Sequence, residues 1–408
     1  MSTGLMSAHA SETTVREVIE ALAPIARLAG SPGEHEAAQW LAQRLRDAGC
    51  EVQIDEEQFL DGYAQVIGAL AAIASVAGGA ALLRPGRRVG GLAAGVAAAA
   101  IVDDISNGPR LFRRATAQRL TTWNVVASCG DERAARTLLV LAHHDAASTG
   151  VIFDERVQAW LADRLPGIIE RIDTSPPLWW ALLAGPALVS LGAALRRRRM
   201  IFAGLAGCVT GTAVFADVHR SPVSPGANDN LSAVAALVAL AERLRCEPVE
   251  GLRVLLVSCG AEEVLQGGIH AFAARHLVAL DRDRTWVLNI DSVGSPKLIL
   301  LEGEGPVVME DYHDRDFRDL IAHVAQRAGV PLRRGMRSRA STDAVIPSRA
   351  GYPTATLASM DRRKLLCNYH QISDTPDHLD YVTVLQALAV TEEVARELAA
   401  NPWLGRPR

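Results

Sequence analysis

Several short apolar runs in this chain end on a charged or metal-ligating side chain. Leu138–Ala142 leads into His143-His144-Asp145, Leu252–Ser258 into Gly260-Ala261-Glu262-Glu263, and Trp286–Ile290 into Asp291. Apolar runs this short, without polar alternation, read as strands buried on both faces. Segments with helical spacing alternate with them: Leu231–Leu244, Gly267–His276, Asp316–Ala328 and Val382–Ala399, with one more strand expected at Thr354–Leu357. The pattern predicts an α/β fold, a mostly parallel central sheet with helices on both faces. In such sheets functional side chains gather at the carboxyl ends of strands, where these charged residues fall. Towards the N-terminus, residues 14–48 read as two helices parted by Gly30–Gly33, and Glu51–Phe59 and Asn124–Ser128 read as strands.

Two stretches break the alternation. Residues 64–102 are rich in Ala, Gly, Val and Leu and are interrupted by Arg84-Pro85-Gly86-Arg87-Arg88; residues 178–216 are again apolar and are interrupted by Arg196–Arg199. Each reads as a hydrophobic helical hairpin with a basic turn. The arms Val66–Leu83 and Leu178–Leu195 approach the roughly 17–25 residues that span a bilayer, whereas Val89–Val102 is short and Met200–Phe215 marginal. The expected organisation is one body formed by residues 1–63, 104–153 and 221–408. A hairpin at 64–103 interrupts it, as does a segment at 154–220 holding an amphipathic helix (Arg156–Ile172) and the second hairpin. A soluble four-helix cap is the alternative to membrane insertion. If the hairpins span, the arginine turns favour the cytoplasmic side and leave the body outside.

The 408 residues carry a formal net charge of -4, and no basic tract is interleaved with aromatics, so nucleic acid is not an expected partner. The N-terminus lacks the basic region and apolar run of a secretory signal, which taken alone points to the cytoplasm. With the hairpins included, the expectation is a membrane-associated protein of the bacterial cell membrane. The six cysteines are scattered without a Cys-x-x-Cys pair and are expected to be small buried residues, not a disulfide framework.

His143, Asp229 in Pro-Gly-Ala-Asn-Asp-Asn, Glu263, Asp291 and His370 in Tyr-His-Gln-Ile-Ser-Asp-Thr supply two imidazoles and three carboxylates. That donor set has the number and hardness to hold two Zn²⁺ ions with one carboxylate shared. Asp145, two residues beyond His143 in an extended segment, points to the same side and is placed to fix the His143 tautomer. Asp229 and Asn230 precede a helix, and Asn230 is expected near its cap. Two acids at the mouth of a buried strand are costly without a cation, so Glu263 is assigned to the metal and Glu262 to the attacking water. The Tyr369 hydroxyl is a candidate for stabilising an oxyanion.

Taken in order, Ala142-His143-His144-Asp145, Ser224–Asn230, Gly260–Glu263, Asn289-Ile290-Asp291 and Tyr369–Thr375, with Arg27–Gly33 near the start, resemble the co-catalytic di-zinc aminopeptidases of metallopeptidase family 28. The resemblance covers nearly all of the chain outside the hairpins. It implies one zinc on His143 and Asp291, another on Glu263 and His370, Asp229 bridging, Asp145 orienting His143, and Glu262 as general base. It also implies a peptide substrate and exopeptidase activity. Three departures stand out: the longer spacing from Asp145 to Asp229, Ala344 where a His is often found, and Val264–Gly268 in place of Gly-Leu-Leu-Gly-Ser. Related expectations are a glutaminyl cyclase-like enzyme, a carboxypeptidase using Arg333, Arg334, Arg337 or Arg339 for the substrate carboxylate, and a non-catalytic membrane scaffold.

Overall fold

The computed structural model describes residues 2–401. Helices α1 (Ser2–Leu22) and α2 (Pro32–Asp47) come first, and the Ser31 hydroxyl caps α2 by accepting the Glu34 amide. Strand β1 (Glu51–Leu60) follows, then helices α3 (Tyr63–Leu82), α4 (Arg87–Ile105) and α5 (Leu111–Thr116), then strands β2 (Arg119–Gly130) and β3 (Thr137–His143). Short helices α6 (Arg156–Arg164) and α7 (Pro166–Ile169) lead to α8 (Leu178–Ala194), α9 (Arg198–Arg220) and α10 (Ser232–Cys246). The rest of the chain runs β4 (Arg253–Cys259), α11 (Gly267–Arg275), β5 (Thr285–Ile290), β6 (Lys297–Glu304), β7 (Glu310–Asp311) and α12 (Arg315–Arg327). It ends with β8 (Arg333–Ser338), α13 (Val345–Arg349), β9 (Thr354–Met360) and α14 (Tyr381–Ala400).

The sheet runs β1-β2-β4-β3-β5-β9-β6-β7, with β8 on β6. Parallel pairing is concentrated at the centre, where β4, β3, β5 and β9 lie side by side. The pairs β1–β2, β2–β4, β9–β6 and β6–β7 are antiparallel. Strand β3 shows why its apolar run is unbroken. Leu138, Val140 and Ala142 enter the core under α1, α2, α10, α12 and α14, while Leu139 and Leu141 enter the core under α11 and α13. Both faces are dry, and each large aliphatic side chain so buried contributes about 1.5–3 kcal/mol.

Two expectations are corrected. Cys50 and Cys129 form a disulfide, Cα atoms 5.4 Å apart. The β1–β2 register sets Glu51 against Ser128, which brings the two cysteines opposite one another despite a separation of 79 residues. The amphipathic segment 156–172 is two short helices, because the backbone leaves the helical region at Leu165 (φ -129°, ψ 48°) ahead of Pro166.

In the two hairpins, α3 packs on α4 and α9, and α8 packs on α4 and α9. Tyr63, Trp179 and Phe215 meet at the end nearest the sheet, with ring centroids 6.0–6.3 Å apart. Both arginine turns therefore lie at the far end. Towards the arginine turns the interior is rich in small residues, with Ala74, Ala77, Ala94, Ala97, Ala193 and Cys208 buried beside Val189 and Ile201, while Ile67, Leu70 and Ile101 fill the end nearer the sheet. Val76, Val89, Leu92, Val96, Phe202 and Val209 face outward, each more than half exposed. Glycines set the close approach: a Cβ on Gly204 would lie 2.6 Å from the Val189 nitrogen, and one on Gly90 would lie 2.3 Å from the Ala77 oxygen. Helices α3 and α9 are long and apolar enough to cross a membrane, with mean hydropathies of 1.8 and 1.7. This reverses the expected ranking within the second hairpin. Helix α8 has only 17 residues, with Pro186 inside it, whereas α9 continues through Asp217 and His219 to 23 residues.

Candidate metal centre

The central strands end in the loops that carry the chemistry. His143 is the last residue of β3, Glu262 and Glu263 follow the turn after β4, and Asp291 follows β5 directly. His370 arrives from the loop between β9 and α14. Asp229 comes from the turn leading into α10, where its backbone is not helical (φ -110°, ψ 89°). Ala261, Ser292 and His370 have φ of 49°, 54° and 52°, a left-handed conformation costing non-glycine residues about 1–3 kcal/mol each. The surrounding hydrogen bonds hold these turns in place.

Asp229 sits between the two imidazoles. Its Oδ1 lies 3.3 Å from His143 Nε2 and its Oδ2 lies 3.2 Å from His370 Nε2. Glu263 Oε2 is 3.2 Å from the same His370 nitrogen. Donor atoms of His143, Asp229 and Asp291 converge within 4.8 Å of one another, as do those of Asp229, Glu263 and His370. Glu263 Oε1 and both ring nitrogens of His370 are buried without a hydrogen-bond partner. Nε2 thus approaches two carboxylates without a hydrogen-bonding alignment, as expected for lone pairs aimed at a common point between them. Orphaned buried donor atoms of this kind, hard oxygens with imidazole nitrogens, fit a divalent ion such as zinc.

The electrostatics point the same way. Burial pushes Glu262 well above the ordinary carboxylate range, raises Glu263, and lifts Asp291 to about 6. Burial would lower His370, but the carboxylates of Glu263 and Asp229 outweigh it and raise the imidazole to about 10. Burial likewise opposes ionisation of Asp229, yet His143 and His370 hold it below its usual value. A cluster that retains protons in this way is one that a cation stabilises.

The expected role of Asp145 changes in detail. His143 Nδ1 lies 3.3 Å from the Asp145 backbone oxygen and 3.5 Å from its carboxylate. The Asp145 carboxylate is taken up by the backbone amides of Glu262 and Glu263, at 3.0 Å each. His144 points away from the cluster: its Nδ1 pairs with Ser258 Oγ at 2.9 Å, and burial depresses its pKa to about 4. Asn230 does not cap α10. Its side chain donates to the Ile290 oxygen at 3.1 Å and accepts the Ser292 amide at 2.9 Å, tying the Asp229 turn to the end of β5. The Tyr369 ring stacks on His370 with centroids 3.8 Å apart and lines the cavity over the cluster.

Several supporting residues were not assigned from the sequence. Arg27 is fully buried and donates to the backbone oxygens of Leu22, His144 and Pro225, joining the His143 and Asp229 loops. Glu34 accepts the Ala261 amide at 3.0 Å, the Gly30 amide at 2.6 Å and the Thr122 hydroxyl at 2.5 Å, which fixes the turn before Glu262. The Asp374 carboxylate accepts the amides of Asn228 and Asp229 at 2.8 and 3.1 Å. Ser292 Oγ donates to Asp291 at 2.9 Å and to Asp229 at 3.2 Å. The available signal was the Arg27–Gly33 segment as a whole, without roles for its members. Arg334 and Arg337, candidates for binding a substrate carboxylate, are committed to Glu302, Asp319 and Asp311.

Residues 213–395 match the model of Peptidase family M28. No curated protein sequence matches significantly. Among solved structures, the chain is similar to an aminopeptidase from Aneurinibacillus sp. strain AM-1, with TM-score 0.55 and 16% identity over 97% of this chain and 96% of that one. It is also similar to BSAP, a zinc aminopeptidase from Bacillus subtilis (TM-score 0.54, 14% identity, 96% and 94% covered). A third similar structure is a Bacteroides thetaiotaomicron glutaminyl cyclase bound to N-acetylhistamine (TM-score 0.56, 13% identity, 94% and 97% covered). At these identities the structural likeness concerns the fold.

Proposed function

From a chain whose residues 213–395 match the model of peptidase family M28, we propose a zinc-dependent aminopeptidase that holds two zinc ions. His143 and Asp291 would hold one ion, Glu263 and His370 the other, and Asp229 both. The observation that carries this reading is Asp229, whose two oxygens face different imidazoles at 3.3 and 3.2 Å. Zinc bound here supplies Lewis acidity to the scissile carbonyl and to water. Glu262, buried beside the cluster with its Oε2 4.0 Å from His143 Nε2, is the residue that takes the water's proton and returns it to the leaving amine. Asp145 acts by positioning Glu262 and Glu263 through their amides, and Tyr369 is placed to donate to the developing oxyanion.

The same reading anchors the enzyme in a membrane through α3, α4, α8 and α9. Large apolar residues on the outside of the bundle, around an interior rich in alanine and glycine, match helices packed in lipid. Seven arginines and no acidic residue occupy the two far turns, which supports a cytoplasmic tip and a catalytic body on the opposite side. The Cys50–Cys129 disulfide supports that side independently, since such bonds persist in oxidising compartments.

Hydrolysis of peptides with free and acetylated N-termini, by zinc-loaded protein and by Glu262→Gln, tests the activity. Cleavage restricted to free N-termini and lost in the variant is expected; cleavage from the carboxyl end overturns the aminopeptidase assignment. Sidedness is tested at Cys246, a free and exposed cysteine of the body. A membrane-impermeant maleimide is expected to label it in intact cells, and labelling only after lysis reverses the orientation.

A further inference from the structure

The cavity over the metal cluster does not stop at the sheet. Its volume is about 460 Å³, and it is bordered by His143, Asp229, Glu262, Glu263, Asp291 and His370 at one end. Beyond them it follows α9 along Val218, Phe215, Val214, Gly211, Thr210 and Gly207, faced by Leu178, Ala181 and Leu182 of α8. Those α9 positions fall on one helical stripe. From Val218 to Gly207 the stripe spans eleven residues, about 16 Å at 1.5 Å per residue. Along this stretch α8 and α9 touch, since a Cβ on Gly211 would lie 2.7 Å from Leu182 Cδ1 and one on Gly207 would lie 3.2 Å from the Gly185 Cα, so the groove runs beside the α8–α9 seam. Thr210 borders the cavity and is exposed, so the groove is open beside it. Apart from Thr210 this stripe carries no polar side chain; the other walls come from the peptidase body, with Leu301, Met336, Met360 and Leu365 beside the charged Arg337, Arg339 and Lys364.

An apolar groove of this length, continuous with the cluster that would act on an amide, fits a substrate with a long unbranched chain. We infer that the enzyme hydrolyses amides whose acyl side bears a long alkyl chain, and that this chain lies along α9 beside its seam with α8. The inference rests on the peptidase reading above. Water adds across the amide, giving the alkyl-bearing carboxylic acid and the free amine. A chain of about twelve carbons, at roughly 1.3 Å each, fills the groove. The chain can belong to a lipid-modified N-terminal residue or be a fatty acyl group itself; both present the same apolar chain to the groove.

The test uses the full-length zinc-loaded protein in lipid nanodiscs with 2-aminoalkanoyl anilides of four to fourteen carbons. The expected kcat/KM rises by about fourfold per methylene and levels off once the groove is filled. Val214→Trp, which fills the groove, is expected to flatten the series. Dodecanoyl anilide, the same chain without the amine, distinguishes the sources: its cleavage identifies a fatty acyl group and overturns the restriction to free N-termini, and cleavage of the amino compounds alone identifies a modified N-terminal residue. In parallel, calorimetry compares 2-aminododecanoic with 2-aminobutanoic acid as ligands. Cleavage of the short anilide with no dependence on length overturns the groove and leaves the peptidase reading standing. Selective binding of the long acid with no turnover of any anilide supports the groove and removes the peptidase reading. Equal binding of both acids overturns the inference, and if Val214→Trp does not fold, the wild-type length series and calorimetry decide it.

Discussion

Asp145 grips Glu262 by its backbone, with the Asp145 carboxylate oxygen 3.0 Å from the Glu262 amide nitrogen and the other oxygen equally close to the amide of Glu263. One side chain thus sets the positions of the proposed base and of a proposed zinc ligand. Asp145→Ala is expected to lower zinc affinity by about 10–100-fold and to lower kcat as well. Competition with a chelator, read by zinc content after dialysis, checks the first effect. Unchanged zinc retention together with unchanged kcat would leave Asp145 without the positioning role.

Glu262→Gln keeps the size of the side chain and removes its ability to accept a proton. Its kcat is expected to fall by about a thousandfold while bound zinc stays at the wild-type level. Rate measurement beside metal analysis separates this outcome from loss of the ion, which would move Glu262 from base to ligand.

Among the described residues Arg27 has no counter-charge in hydrogen-bonding contact, and its guanidinium donates to backbone oxygens of three separate segments. Burial draws its pKa down to about 10, yet the group remains charged at neutral pH. Arg27→Met strands those buried oxygens and is expected to destabilise the protein by about 3 kcal/mol or more. Urea denaturation of the chelated protein measures this without interference from bound metal.

Glu304 provides a pH signature away from the proposed ligands. Burial raises it to about 8, against the hydrogen bonds it receives from Tyr312 and Thr342. A carboxyl raised on folding contributes stability that is fully present below its unfolded pKa near 4.5 and is lost as the pH rises through about 8. Wild-type stability is therefore expected to decline between those values relative to Glu304→Gln, by at most about 1.4 kcal/mol per pH unit. Parallel urea titrations at pH 5, 7 and 9 check the sign; a difference that stays constant across them contradicts it.

Removing the Cys50–Cys129 bond frees a segment of 79 residues in the unfolded chain. Cys129→Ser is expected to cost about 4 kcal/mol on loop-closure grounds, and thermal melting should show reductant lowering the wild type towards the variant.

The central strands were legible because burial on both faces of β3, β4 and β5 leaves an unbroken apolar run, and His143, Glu263 and Asp291 follow from where those runs end, whereas Asp229 and His370 lie on loops that no such run marks. The edge was not. Strand β8, Arg-Arg-Gly-Met-Arg-Ser, carries Arg334 and Arg337, whose charges are met by Glu302, Asp319 and Asp311 once the chain is folded. From sequence the same residues look like a binding patch. The disulfide was hidden for a related reason, since only the β1–β2 register brings Cys50 and Cys129 together. Glu34 and Arg27 support the cluster from the N-terminal helices through backbone contacts, which leave no spacing to read. The helical arms were visible as apolar segments. That Gly207 and Val214 line a cavity was not, because it depends on which side of α9 meets α8.

The four helices of the bundle come from two separate hairpins, with β2 and β3 made between them. Asp229, Glu263, Asp291 and His370 all follow residue 220, where α9 ends. On a ribosome the helical part is therefore complete before four of the five proposed ligands have been synthesised. The metal centre is assembled last, by strands and loops that must close over His143 against a framework already in place.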